Sequence, residues 1–346
     1  MRIALLLLLL PQLSLAAEDA PLNHFQVIGT HNSYHLAPGK AEEVFIRFRG
    51  EAEVQGLAYS HPALSQQFDN GIRQIELDLF ADPEGGRYAQ PAVFQLSKLA
   101  GKPAPTPLLD PQGLMQKPGT KVLHFPNFDF RTNTLTLTTA LTETLSWSQA
   151  HPQHHPIFIL LELKGNSADW DNVGLKALEQ EVLTTIPRKH LITPDDVRGK
   201  HRSLRAAILT QGWPSRDSLR GKIMLALDNT GQARSAYLKP DPLLKKRLFF
   251  PSCPSANHPS AGWFKINDPV TNFDRIKTLS QKGFLIRTRA DAATREARSN
   301  DTNRRDQAFA SGAHFISTDF PQANPKFSNY QVTLPKKAKE AYRFQR

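Results

Sequence analysis

The chain has 346 residues, 40% of them hydrophobic, one cysteine, a formal net charge of +11 and a sequence pI of about 9.7. A single thiol, Cys253, excludes an intramolecular disulfide framework, so a packed core must hold the fold. The basic balance asks for an anionic partner; the basic residues are scattered and form no nucleic-acid motif, which favours a membrane surface over nucleic acid.

Met1-Arg2, the apolar stretch 3–10, Pro11 and the small residues 14–17 read as a secretory signal cleaved near Ala16 or Ala17. This divides the chain into a leader, 1–17, and one exported domain, 18–346, secreted or periplasmic. The apolar stretch is too short to anchor in a bilayer, and no later segment resembles a membrane span. A soluble monomer without an obligate protein partner is the expectation.

Short β-branched and aromatic runs then recur at 25–29, 72–80, 121–125, 157–163, 222–227, 247–250, 283–287 and 314–317. Helix-like segments with a period near 3.6 lie between several of them, at 135–150, 171–185, 272–281 and 302–310. Strands alternating with helices imply βαβ units, and eight such units predict an α/β fold, a single distorted TIM (β/α)8 barrel. Asn300-Asp301-Thr302 can cap the last of these helices and Gly312 can close it. The Pro- and Gly-rich stretches 82–119 and 251–269 read as loops, with Trp263-Phe264 packed beneath the second. Residues 335–339 read as a solvated end.

Polar residues cluster where these strands stop. His31 and Asn32 end the first run, a position at which a barrel keeps its catalytic groups. Glu76 and Asp78 are two apart on a strand and so share a face, where two half-dry carboxylates need a cation. That cation is either a divalent ion or a buried arginine such as Arg73, Arg287 or Arg289. Asn32 and Glu162 complete an all-oxygen set suited to calcium or magnesium rather than zinc. His124 ends the third run, and two strand-end histidines beside a metal supply the acid and the base that phosphodiester cleavage requires. Lys164, Arg287 and Arg289 are candidates for binding phosphate, or partners of Glu76, Asp78 or Asp319. The run His151-Pro-Gln-His-His-Pro156 falls on the opposite end of a barrel and reads as a solvated loop, and Cys253 as a spare small residue.

Gly29-Thr-His-Asn-Ser33, Glu76-Leu-Asp78, Leu123-His124, Leu161-Glu-Leu-Lys164, Arg287-Thr-Arg-Ala-Asp-Ala292, Asn300-Asp-Thr-Asn-Arg-Arg-Asp306 and Ile316-Ser-Thr-Asp-Phe-Pro321 occur in an order that resembles the bacterial calcium-dependent phosphatidylinositol-specific phospholipase C family. The resemblance implies a distorted TIM barrel that cleaves phosphatidylinositol between glycerol and phosphate, through attack by the neighbouring inositol hydroxyl. It implies His31 and His124 as the acid/base pair, their two roles left open, and Asn32, Glu76, Asp78 and Glu162 as ligands of calcium, ahead of magnesium. Lys164, Arg287 and Arg289 would hold substrate. The rival reading is a glycerophosphodiester phosphodiesterase, disfavoured because Asn32 and Ser33 follow the histidine where that family has Arg and Gly. The non-enzymatic reading is a degenerate lipid-binding barrel.

Overall fold

The computed structural model describes residues 20–344, so the leader lies outside the described residues. Its strands are β1 Phe25–Thr30, β2 Gln74–Phe80, β3 Lys121–Val122, β4 Ile157–Leu163, β5 Leu191–Ile192, β6 Ile223–Leu227, β7 Phe250–Pro251, β8 Trp263–Lys265, β9 Leu285–Arg289, β10 Phe315–Thr318 and β11 Tyr342–Arg343. Parallel pairing runs β6-β4-β2-β1-β10-β9-β8, with β5 and β7 both beside β6, β5 against its start and β7 against its end. The seam between β7 and β8 is spanned by Cys253 N–H donating to Trp263 O, 3.1 Å. Eight staves therefore curl into a distorted barrel: β1, β2, β4, β6, β7, β8, β9 and β10.

Two assignments made from sequence alone change places. The run at 121–125 is no stave: β3 pairs antiparallel with the end of β2, Leu79 opposite Val122. The missing stave is β8, inside the stretch expected to be loop. Three residues are too short for a periodicity to register, and only pairing with β9 defines them. Trp263 and Phe264 are accordingly buried. Beyond the exposed lysines of 335–339 the described chain is tied down, because β11 pairs antiparallel with β1, and Glu340 Oε2 accepts from Arg73 Nη2 at 2.8 Å. Arg73 thus sits at the lower end and does not neutralise Glu76. His154 and His155, expected in solvent, are buried there as well, His154 Nε2 lying 2.7 Å from Ser148 Oγ.

The alternation of the strands sorts the barrel interior into layers. Phe158, Phe315 and Trp263 form an aromatic floor, with Phe158 stacked on Phe315 at 4.0 Å between centroids and edge-on to Trp263 at 5.4 Å. Two residues further along the same strands the side chains become Leu160, Ser317 and Lys265, and beyond them Glu162 and Asp319. Hence apolar packing fills the bottom, and charge collects at the C-terminal mouth. At Gly29 of β1 an added Cβ would lie 2.0 Å from Gln74 Oε1, so only glycine lets that glutamine cross the interior.

The helices Leu137–Ala150, Asn172–Thr185, Phe273–Gln281 and Asn303–Ala310 fall close to where periodicity puts them. Thr136 and Asp171 accept backbone N–H groups as caps on the first two. Between β1 and β2 the chain inserts three short helices, Lys40–Ile46, Glu51–Gly56 and Leu64–Asp69, and the stretch before β3 holds Ala92–Leu99. These insertions wall one side of the mouth.

Candidate active site

Seven strands bring their last residues, or the residues just beyond them, to the mouth. From β2 come Glu76 and Asp78, from β4 Glu162 and, just beyond it, Lys164, from the end of β6 Asp228, and from β8 Lys265. β9 supplies Arg287 and Arg289. His31 follows β1 and Asp319 follows β10, their backbones joined through His31 N–H to Thr318 O at 3.1 Å.

One carboxylate atom from each of Glu76, Glu162 and Asp228 lies within 4.8 Å of the others. Burial raises the Glu76 pKa to about 7 against the opposing pull of Arg287, and burial likewise raises Asp228 against Lys265. Asp228 Oδ1 is buried without a hydrogen bond, as are both oxygens of Asp78. At Glu162 burial is outweighed by Lys164 and the pKa falls; an oxygen-only cluster in which burial disfavours the charged form of Glu76 and Asp228 fits a hard divalent cation, which would replace the lost water. Asp78 stands beside it, ion-paired with Lys164 Nζ at 3.2 Å; Lys164 also meets Glu162 at 2.9 Å. Those two carboxylates outweigh burial and keep the ammonium firmly protonated. Asn32 adopts the left-handed conformation, φ 45°, which asparagine tolerates, and its amide N–H₂ donates to Tyr59 Oη at 3.1 Å. That leaves the amide oxygen as the group able to ligate.

The arginines divide. Arg287 is almost wholly buried, paired with Glu76 and also donating to Asn267 Oδ1 at 2.5 Å and Ser317 Oγ at 3.1 Å. This is the arginine-partner arrangement for Glu76. Arg289 instead faces His31, with Nη1 3.2 Å from Nε2, and donates to Asp319 Oδ2 at 3.1 Å.

The two histidines stand on separate supports. His31 Nδ1 lies 2.8 Å from Asp319 Oδ1. Since guanidinium only donates, Arg289 makes Nε2 the acceptor and places the ring proton on Nδ1. Burial, then Arg289, Arg287 and His124, hold the His31 pKa well below the ordinary 6.5, so the ring is neutral, with its Nε2 lone pair accepting from Arg289. Asp319 is itself fixed by Asp291, whose Oδ1 accepts Asp319 N–H at 2.8 Å.

His124 reaches the mouth through the turn after β3, and its Nδ1 is 2.6 Å from Asp129 Oδ2. Burial opposes the ionised form of Asp129, but the charges and hydrogen bonds of His35 and His124 outweigh it and take the pKa down to about 2. His35, entirely buried, lies 3.0 Å from the same carboxylate oxygen and 3.1 Å from Tyr59 O. Tyr59 links the two supports, its ring 6.3 Å from His31 and 4.4 Å from His35.

Asp129, His35, Tyr59 and Lys265 carry no strand-end pattern visible in sequence, whereas Asp291 continues the alternation of Arg287 and Arg289. Asp228 carries such a pattern too: it follows an apolar run just as Glu162 ends one, and the same reasoning could have found it.

A scan against family models matches residues 20–343 to the family described as phosphoinositide phospholipase C, Ca2+-dependent. None of the curated proteins matches the chain. Among solved structures, it resembles a calcium-dependent phosphoinositol-specific phospholipase C from a Gram-negative Pseudomonas species, with myoinositol, at TM-score 0.57 and 15% identity over 94% of this chain and 96% of that one. A Ca2+-dependent phosphatidylinositol-specific phospholipase C from Streptomyces antibioticus gives TM-score 0.55 and 17% identity over 86% and 94%. At such identities these structures speak for the fold.

His61, buried with Nε2 3.0 Å from His31 O, has its pKa lowered by burial to about 4. The folded state therefore refuses a proton that the unfolded chain accepts, so this contribution is complete above pH 6.5 and is lost as pH falls toward 4. A fall from 6.5 to about 4 corresponds to roughly 3 kcal/mol. Urea unfolding measured across that window should show His61→Gln losing less stability than the native chain; equal losses would remove His61 from the acid response.

Proposed function

Since this chain belongs to the Ca2+-dependent phosphoinositide phospholipase C family, phosphoric diester hydrolases acting on phosphatidylinositol lipids, we propose that His31 is its general base and His124 its general acid. The observation that supports this most directly is the asymmetry of the two imidazoles. His31 is neutral with a lone pair on Nε2, whereas His124 rests on a carboxylate that stays ionised at any working pH.

In this reading His31 Nε2 takes the proton from the inositol hydroxyl beside the phosphate while Asp319 holds Nδ1–H and steadies the imidazolium that forms. The hydroxyl oxygen bonds to phosphorus, and the bond from phosphorus to the glycerol oxygen breaks. His124, held by Asp129, protonates that departing oxygen, giving diacylglycerol and a cyclic inositol phosphate. Water then opens the cyclic ester with the two rings exchanging roles. Lys164 and Arg289 hold the phosphate and the inositol hydroxyls, and Arg287 positions Glu76.

Calcium, held by Glu76, Glu162 and Asp228 with Asn32 and Asp78 alongside, would neutralise charge on the phosphoryl oxygens and acidify the attacking hydroxyl. The net charge of +11 suits an anionic lipid surface, and the leader reading of residues 1–17 supports action outside the cytoplasm. N-terminal sequencing of the exported protein should begin at Ala17 or Glu18; an intact Met1 end would overturn export.

His31→Ala should lower turnover of phosphatidylinositol on the order of 10²- to 10⁴-fold. His124→Ala should lose as much on the lipid but regain most of it on a nitrophenyl inositol phosphate, whose leaving group needs no proton. Equal rescue of both variants would overturn the assignment, and activity confined to glycerophosphoinositol would favour the glycerophosphodiester phosphodiesterase. Asp228→Asn should weaken calcium binding by at least tenfold, read as a smaller calcium-induced rise in Tm. An unchanged rise would take Asp228 out of the metal shell.

A further inference from the structure

Beside His124 the mouth opens into an apolar groove with a cavity volume of about 410 Å³, within the range of roughly 300–1,000 Å³ typical of small-molecule clefts. Its walls come from the inserted helices and the turn after β3: Phe45, Phe48, Leu57, Leu96, Phe125 and Phe128, with Asp129 at the inner end. Phe48 is 84% exposed, Phe125 40% and Leu96 36%. Such side chains are costly to leave in water together, and they lie on one continuous patch. Phe128 is anchored from behind by Ile46, Val54 and Leu57, so the groove is a packed surface.

The groove is continuous with the catalytic machinery on one side only. The Phe125 ring lies 4.2 Å from the His124 ring, centroid to centroid, and Asp129 serves both as the support of His124 and as a wall of the groove. On the opposite side His31 is surrounded by Asp319, Arg289 and Tyr59, a charged and hydrogen-bonding environment suited to inositol. The group that His124 protonates is the diacylglycerol oxygen. What extends from that oxygen is the glycerol diester and then its two hydrocarbon chains, and the surface next to His124 is apolar.

From this continuity we propose that the groove is an acyl-chain subsite, which binds one fatty chain of the leaving diacylglycerol and so draws a single lipid molecule partly out of its membrane. The inference rests on the phospholipase reading and on His124 as the acid. Binding there orients the glycerol oxygen against His124 and adds affinity with each methylene enclosed, about fourfold per methylene at full burial. Arg49, 5.4 Å over the Phe125 ring and 4.0 Å from Glu53, rims the opening and offers a cation to the lipid surface.

The test uses soluble phosphatidylinositols with butanoyl or hexanoyl chains, each below its micelle concentration so that no membrane is present, with calcium. The native enzyme should show kcat/KM at least tenfold higher for the hexanoyl lipid. Phe48→Ser and Leu96→Gln, at exposed positions, should bring that ratio below threefold. A native ratio near one, or a ratio the variants retain, would overturn the subsite, and retention on monomers with losses only on phosphatidylinositol vesicles would make the groove a bilayer anchor instead. A native enzyme inactive on every inositol lipid would instead sink the phospholipase reading itself.

Discussion

Buried negative charge at the barrel mouth is the constraint around which this structure is arranged. Glu76, Asp78, Glu162, Asp228, Asp291 and Asp319 all lie on or just beyond parallel strands, and all but the partly exposed Glu162 are buried. Each is tolerable only because a cation or a donor stands against it. Arg287, Arg289, Lys164 and Lys265 supply the positive charge from neighbouring strands, and Thr318 and Tyr330 donate to Asp291. Burial still raises Glu76, Asp78 and Asp228 in spite of these partners, and with Glu162 they gather carboxylate oxygens closely enough to hold a divalent ion, which is the chemical reason to assign one there.

The same electrostatics separates the two imidazoles. Around His31 burial, reinforced by the arginines, makes the neutral ring the stable form, and Asp319 fixes which nitrogen keeps the proton. Around His124 an ionised Asp129, shared with the buried His35, holds the ring from behind. The same residue type thus acquires two different environments through what is packed against it. Tyr59 couples the two halves, since it touches His31, Asn32 and His35 at once.

The inserted helices between β1 and β3 add what a plain barrel lacks. They bring aromatic side chains to the His124 side of the mouth, while the His31 side stays polar. A substrate that is sugar at one end of its phosphate and hydrocarbon at the other would be oriented by that contrast alone. The aromatic floor of Phe158, Phe315 and Trp263 fills the barrel beneath the charged layer.

Much of this was written in local sequence. Glu76 and Asp78 share a face because strand periodicity is two, and Glu162, His31, Arg287 and Arg289 fall at strand ends because apolar runs stop there. Long helices such as Leu137–Ala150 announced themselves by period. Relationships between distant segments were not written there. Whether Glu76 answers to Arg287 or to Arg73 depends on which strands become neighbours, and Arg73 was claimed by Glu340, 267 residues away. The stave Trp263–Lys265 is too short to carry a pattern and exists only through pairing, while the run at 121–125 looked like a stave yet turned antiparallel against β2. Asp129 and His35 became a support for His124 because tertiary packing drove them into one dry volume. Sequence alone determined the chemistry available at each strand end, since residue identity and local periodicity are properties of the chain; only the tertiary structure decided which charges meet, because Coulomb interaction and burial depend on distance in space.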